Sequence, residues 1–187
     1  SLYGPNVDSY TATVQNLGFD FVFMGTIYNQ FSVSPDGGFR FGSTAITGHT
    51  YNPALNTPII SLTNIDNKTG AGTGSVRYKV QSGTGGQVLI VEWKDILINW
   101  SASGTTLSTF QLRLYQATGE IEMVYGQMWN SSTSAQSGVI WFGSSNTSGT
   151  VGQLNTITTS PTYNYTATSL TTTSFAASSA MTNLHST

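Results

Sequence analysis

Residues 18–42 read GFDFVFMGTIYNQFSVSPDGGFRFG, and the reading of this stretch decides the fold. Phe19, Phe21 and Phe23 recur at every second position, so their rings share one face of a strand. Gly25-Thr26 then interrupts the run as a hairpin turn does. A second strand is expected with Ile27, Asn29, Phe31 and Val33 on one face and Tyr28, Gln30 and Ser32 on the other. Pro35-Asp36-Gly37-Gly38 is turn chemistry, because Pro presets its own φ and Gly accepts φ > 0. Phe39 and Phe41 flank Arg40 on a third short strand. The result is a β-meander with a heavy aromatic load.

The same alternation continues downstream. Pro58–Leu62 reads as a short buried strand and 64–74 as a loop. Val76, Tyr78 and Val80 alternate with Arg77 and Lys79. Leu89, Val91 and Trp93 alternate with Ile90, Glu92 and Lys94, and the apolar face changes near Asp95, which predicts a bulge. Phe110, Leu112 and Leu114 share a face, as do Ile121, Met123 and Tyr125. A four-residue loop between these two runs keeps both sets on the core side and sets Arg113 opposite Glu122. Val139 and Trp141 lie on a further strand, and Tyr163, Tyr165 and Ala167 suggest a last one. No helical period occurs. About ten strands with frequent turns predict an all-β, antiparallel, immunoglobulin-like β-sandwich with an extended N-terminal strand. The expected division is an arm over 1–17, a sandwich over 18–175 and a loosely held tail over 176–187.

The meander also carries a resemblance. Phe19, Phe21, Phe23, Gly25, Tyr28, Phe31, Val33, Ser34, Gly37 and Gly42 resemble the opening of secreted and surface adhesin-type β-sandwich domains of Bacteroidota. The likeness continues at Val91–Lys94, Phe110–Tyr115, Thr118–Glu122 and Tyr125-Gly126, and so spans roughly residues 10–143. It implies an extracellular sandwich and leaves the function open.

Composition narrows the function classes. Only 7% of the 187 residues are charged, the net charge is −2, and 53 residues are Ser or Thr. The six cations, Arg40, Lys68, Arg77, Lys79, Lys94 and Arg113, form no basic patch for nucleic acid. No apolar run is long enough for a membrane span. The absence of cysteine excludes disulfides and thiolate metal sites. A hydroxyl-rich, weakly repelling surface suits an extracellular protein that packs against copies of itself.

Candidate chemistry is sparse. Glu120 and Glu122 share a strand face roughly 7 Å apart, the pattern of a glycosidase acid pair, but Arg113 is placed to neutralise Glu122. His49 and His185 assemble no catalytic triad or metal cluster. Asp36-Gly37 and Asp66-Asn67 offer oxygens to a cation without the spacing of a known Ca²⁺ loop, and each reads as a turn. No cofactor, no metal site and no enzymatic activity are expected. Trp93 and Trp141 fall on core positions, whereas Trp100 and Trp129 lie at strand ends and are the candidates for glycan stacking. Sequons at Asn67, Asn99, Asn130, Asn146 and Asn164 are candidate glycosylation positions, in a number that this Ser/Thr content produces by chance.

The N-terminus carries the functional expectation. Tyr10, Ala12 and Val14 alternate with Thr11, Thr13 and Gln15 as a short strand, bounded by Gly4-Pro5 and Asn16-Leu17-Gly18. The start at Ser1 reads as a processed terminus. An extended strand with small apolar residues ahead of a sandwich is what donor-strand exchange requires. The sequence therefore points to a structural subunit of an extracellular, pilus-like fibril, linked by donation of Tyr10, Ala12 and Val14 to the next copy. The alternative is a carbohydrate-binding adhesin module.

Overall fold

The computed structural model describes residues 1–49, 57–101, 107–126, 128, 136–143, 148–157 and 167–168. Twelve strands are present among them: β1 (Gln15–Phe23), β2 (Thr26–Val33), β3 (Gly38–Phe41), β4 (Ile59–Ser61), β5 (Lys68–Thr69), β6 (Ser75–Gly83), β7 (Gly86–Leu97), β8 (Ser108–Tyr115), β9 (Ile121–Tyr125), β10 (Gln136–Gly143), β11 (Ser148–Ile157) and β12 (Ala167–Thr168). They form two antiparallel sheets. One has seven strands in the order β1-β2-β3-β4-β10-β11-β12; the other has five, β5-β7-β8-β9 with β6 also paired to β7. The chain is an all-β sandwich.

Its core is the set of side chains that the period-2 pattern turns inward. Leu17, Phe21, Phe31, Phe39, Phe41, Ile60 and Phe142 come from the seven-stranded sheet or its flanking turns. Val76, Leu89, Val91, Trp93, Phe110, Leu112 and Leu114 come from the other, and all join one buried cluster. Each such burial is worth roughly 1.5–3 kcal/mol. The rings pack on one another: Phe31 and Phe39 stack with centroids 5.0 Å apart, and Trp93 stacks on Phe110 at 5.4 Å. The Trp93 indole N–H donates to the Ser34 carbonyl at 2.7 Å, so the one polar atom of this ring is satisfied inside the core.

Several expectations are met in detail. The register shifts between Trp93 and Ile96, and Asp95 has φ 55°, which is the expected bulge. The Tyr115 N–H donates to the Glu120 carbonyl, which closes a four-residue loop over 116–119, and Arg113 stands opposite Glu122.

Others are corrected. The first hairpin turns at Met24-Gly25, not Gly25-Thr26, with Phe23 paired to Thr26. Both turn residues have positive φ, 47° and 81°, the geometry that matches the twist of the flanking strands. Asn16-Leu17-Gly18 is not a break ahead of the meander. It lies within β1 as an irregularity between Asn16 and Phe21, and the fully buried Leu17 extends the series of Phe19, Phe21 and Phe23. Lys68-Thr69, assigned to a loop, pairs with Ile96 and Leu97. Residues 10–14 form no strand within the chain. Ala12 and Tyr10 instead pack with Ile46, Ile59 and Trp141. Ile59 and Trp141 neighbour the core residues Ile60 and Phe142 in sequence, so they face out from the seven-stranded sheet. The arm thus covers the back of that sheet instead of adding an edge to it. The expected strand residues Tyr163 and Tyr165, and the tail over 176–187, lie outside the described residues.

Candidate functional site

Two surface regions bring together the polar side chains that the sequence presents separately. The first is the outer face of the five-stranded sheet. Arg77 Nε donates to Glu92 Oε2 at 2.5 Å, and Gln111 Nε2 donates to Glu92 Oε1 at 2.9 Å. Arg113 Nη2 donates to Gln111 Oε1 at 2.9 Å and Arg113 Nη1 to Glu122 Oε2 at 3.1 Å. The Tyr115 hydroxyl donates to the same Glu122 oxygen at 2.6 Å. This ladder crosses β6, β7, β8 and β9. Burial pushes the Glu92 carboxyl up, but its bonds from Gln111 and Arg77 outweigh that and hold it below the ordinary range. Glu122 is therefore engaged by an Arg and a Tyr, the arrangement expected of a cross-strand ion pair.

The second region is a cleft of about 570 Å³. It is lined by the arm (Asp8, Tyr10), the β2–β3 turn (Asp36), the loop after β3 (His49), the β4–β5 loop (Asp66) and the turn that follows β7 (Trp100). Asp36 is held by the Pro35-Asp36-Gly37-Gly38 turn, in which Gly37 has φ 87°. Asp36 is 1% exposed. Its Oδ1 accepts from the Asn67 N–H at 2.9 Å, and its carbonyl accepts from Thr63 Oγ1 at 2.8 Å and Asn67 Nδ2 at 3.1 Å. Oδ2 is buried and has no hydrogen-bond partner. Burial, and then the charges of Asp66 and Asp8, push its carboxyl up to about 8. Asp66 is raised as well, chiefly by burial, against the lowering pull of His49. His49 Nε2 lies 3.8 Å from Asp66 Oδ2. The backbone N–H of Trp100 donates to the Asp66 carbonyl at 2.8 Å, and the residue stays 50% exposed.

The expected site residues fall out as follows. Trp93 and Trp141 are core, and Trp100 is exposed at the cleft; Trp129 lies outside the described residues. Asn67 is fully buried and its amide bonds Asp36 and Thr63, while its Oδ1 accepts from the Asn99 N–H. That engagement leaves no room for a glycan on Asn67 in the folded chain. Asn99 is half-buried and its side-chain oxygen bonds Ser101. Asn130, Asn146 and Asn164 lie outside the described residues. The sequence treated Asp36-Gly37 and Asp66-Asn67 as unrelated turns, and the fold joins them. Among the described residues, no group of three His, Asp or Glu side chains is arranged to hold a metal ion.

Comparison with known proteins gives one positive result. No curated protein and no solved structure matches the chain. The family model described as NIDO related matches residues 1–184, and the chain therefore belongs to the NIDO-related family.

Proposed function

We propose that the chain is a structural subunit of an extracellular, pilus-like assembly and that copies associate by exchanging the N-terminal arm along sheet edges. Membership in the NIDO-related family supports the extracellular setting. The low charge supports close packing of like surfaces. The resemblance to adhesin-type surface domains of Bacteroidota belongs to the same reading.

The observation that carries it is how residues 1–7 are held. The N–H groups of Leu2 and Tyr3 donate to the Val76 carbonyl, and the Val76 N–H donates to the Tyr3 carbonyl. Further along, Asn6 N–H donates to the Gly70 carbonyl and Thr69 N–H to the Val7 carbonyl. The Tyr3 ring reaches in to donate its hydroxyl to the Val33 carbonyl at 2.8 Å. The arm is thus attached through backbone pairing at the open side of β5 and β6, plus one anchoring ring. The same bonds are available to residues 1–7 of a second copy. This reading moves the donated contact from Tyr10, Ala12 and Val14 to the preceding residues, with Tyr3 as anchor; 10–14 become the span that leads into β1. It assigns no catalytic role to Glu120 or Glu122.

Deletion of residues 1–7 tests the proposal. The full chain at high concentration is expected to form filaments by electron microscopy, and the truncated chain to remain monomeric by light scattering. A synthetic peptide of residues 1–8 should bind the truncated chain and raise its Tm. Filaments formed by the truncated chain, or a full chain that stays monomeric at high concentration, would sink it.

A further inference from the structure

The outer face of the five-stranded sheet changes charge from one edge to the other. β6, β7, β8 and β9 are successive antiparallel neighbours, and one row across them runs Lys79, Ile90, Arg113, Glu122. Arg77 and Lys79 stand on the outward side of β6 at one edge. Glu120 and Glu122 stand on the outward side of β9 and its entry at the other. Lys79 makes no ion pair among the described residues, and Glu122 is engaged through Oε2 alone. The row therefore begins with an unpaired cation and ends with a carboxylate that has one oxygen to spare.

Both edges also have backbone groups to spare. The Val76 N–H and C=O turn away from β7 to bond the arm at Leu2 and Tyr3. Backbone groups alternate in direction along a strand, so those of Tyr78 and Val80 turn the same way, where β6 has no neighbouring strand among the described residues. On β9 the Glu120 C=O and the Gly126 N–H turn towards β8. The groups of Ile121 and Met123 therefore turn away, at an edge where no described strand pairs. Unpaired edges invite another strand. Like edges do not suit each other: β6 on β6 gathers Arg77 and Lys79 of both copies, and β9 on β9 gathers their glutamates. β6 on β9 sets opposite charges together. The four strands alternate in direction, so β6 runs antiparallel to β9. A copy shifted along the sheet thus meets the first in antiparallel pairing, with the same face outward.

We propose that the β9 edge of one copy pairs with the β6 edge of the next, which extends the five-stranded sheet from copy to copy. Continuing the row fixes the register: Lys79 stands opposite Glu122 of the neighbouring copy, Gln81 opposite Glu120, and Arg77 opposite Val124. Tyr78 then exchanges two N–H···O=C bonds with Met123, and Val80 two with Ile121. Val76 keeps its bonds to the arm. The contact joins two different surfaces, so it propagates along the sheet instead of closing a two-fold dimer. Four backbone bonds and one exposed ion pair make a weak contact. It rests on the arm reading for the link between copies and adds the orientation in which linked copies stack.

The absence of cysteine makes cross-linking the test. In this register Gln81 and Glu120 form a non-hydrogen-bonded pair, with Cα atoms about 4.5 Å apart, within disulfide reach. Full-length Gln81→Cys and Glu120→Cys chains are oxidised at high concentration, apart and mixed. Disulfide-linked dimer is expected in the mixture and little in either chain alone. Lys79→Glu, added to the Gln81→Cys chain, should lower the mixed yield roughly fivefold. A mixture that gives no more dimer than the separate chains, or a yield indifferent to Lys79→Glu, overturns the proposal. So does abundant dimer of either chain alone, which would mean that like edges pair. The arm is read separately, by binding of the residue 1–8 peptide to the chain lacking residues 1–7, which Lys79→Glu should leave unchanged. Cross-linking that fails while the peptide binds removes the edge contact and leaves the arm. Cross-linking that succeeds while the peptide does not bind removes the arm and leaves the edge contact.

Discussion

The ladder on the five-stranded sheet and the cleft at the turns both gather carboxylates, and they treat them in opposite ways. Glu92 and Glu122 lie on regular strands, where cross-strand register delivers a partner to each oxygen that needs one. Asp36 sits in a turn and is carried into the interior, where one oxygen is satisfied by Asn67 and the other by nothing. Glu92 is consequently held below its ordinary range and Asp36 far above it. Strand pairing produces neutralised carboxylates as a by-product of geometry. An unsatisfied buried carboxyl has to be held in place by surrounding structure, here by the bonds that Thr63 and Asn67 make to the same residue.

The largest expected effect is on the pH dependence of stability. The folded-state value of Asp36 is about 8, against 3.8 for the free group. Between those values the folded chain holds a proton that the unfolded chain has lost. Stability from this group is therefore fully present below about pH 4 and falls as pH rises towards 8, by an amount on the order of 6 kcal/mol at most. Burial is the main cause of the rise, and the charges of Asp66 and Asp8 add to it. Denaturant titrations of the wild type and Asp36→Asn across that window check it: the variant should lose the decline. A wild-type stability that is flat or rising from pH 4 to 8 would break the contrast.

A smaller effect is expected from the turn that aims Asp36. A Cβ on Gly37 would lie 3.0 Å from Thr63 Oγ1 and 3.2 Å from the Phe110 ring, at a φ of 87°. Gly37→Ala should cost roughly 1–3 kcal/mol, from left-handed strain plus overpacking. The midpoint of urea unfolding reads it directly. A variant as stable as the parent would show that the turn relaxes freely and does not hold Asp36 in place.

The smallest effect belongs to the ladder. Arg113→Ala should cost about 1 kcal/mol or less, as partly exposed ion pairs do, and the loss should shrink with added salt. Glu92 reverses the pH sign of Asp36. Its folded value is depressed, so its contribution is present above the ordinary carboxylate range and is lost as pH falls through its folded value. Glu92→Gln should remove that acid-side loss and leave the Asp36 slope intact. A ladder variant that cost more than Gly37→Ala would place the principal constraint on the strands instead of the turn.

Much of this was readable from the chain. The alternation of Phe19, Phe21 and Phe23, of Leu89, Val91 and Trp93, and of Phe110, Leu112 and Leu114 named the strands and their core faces. The bulge at Asp95 followed from a change of face, and the Arg113–Glu122 pair from loop parity. Each inference needed only neighbours in sequence or one short hairpin. Tyr10, Ala12 and Val14 show where that logic fails. Their alternation is real, but Ala12 and Tyr10 are absorbed by Ile46, Ile59 and Trp141, partners from distant parts of the chain.

The sequence by itself determined an all-β sandwich and its inward-facing aromatics, because side-chain direction in a strand is a local, period-2 property. Only the tertiary structure decided that Asp36 would meet Asn67, that Asp8, His49 and Asp66 would share a cleft with Trp100, and that residues 1–7 would lie along Val76 and Thr69. Those contacts join loops and termini, where no periodicity operates. The partner of a turn residue is fixed by which strands the sheets place side by side, and that order is a property of the whole fold.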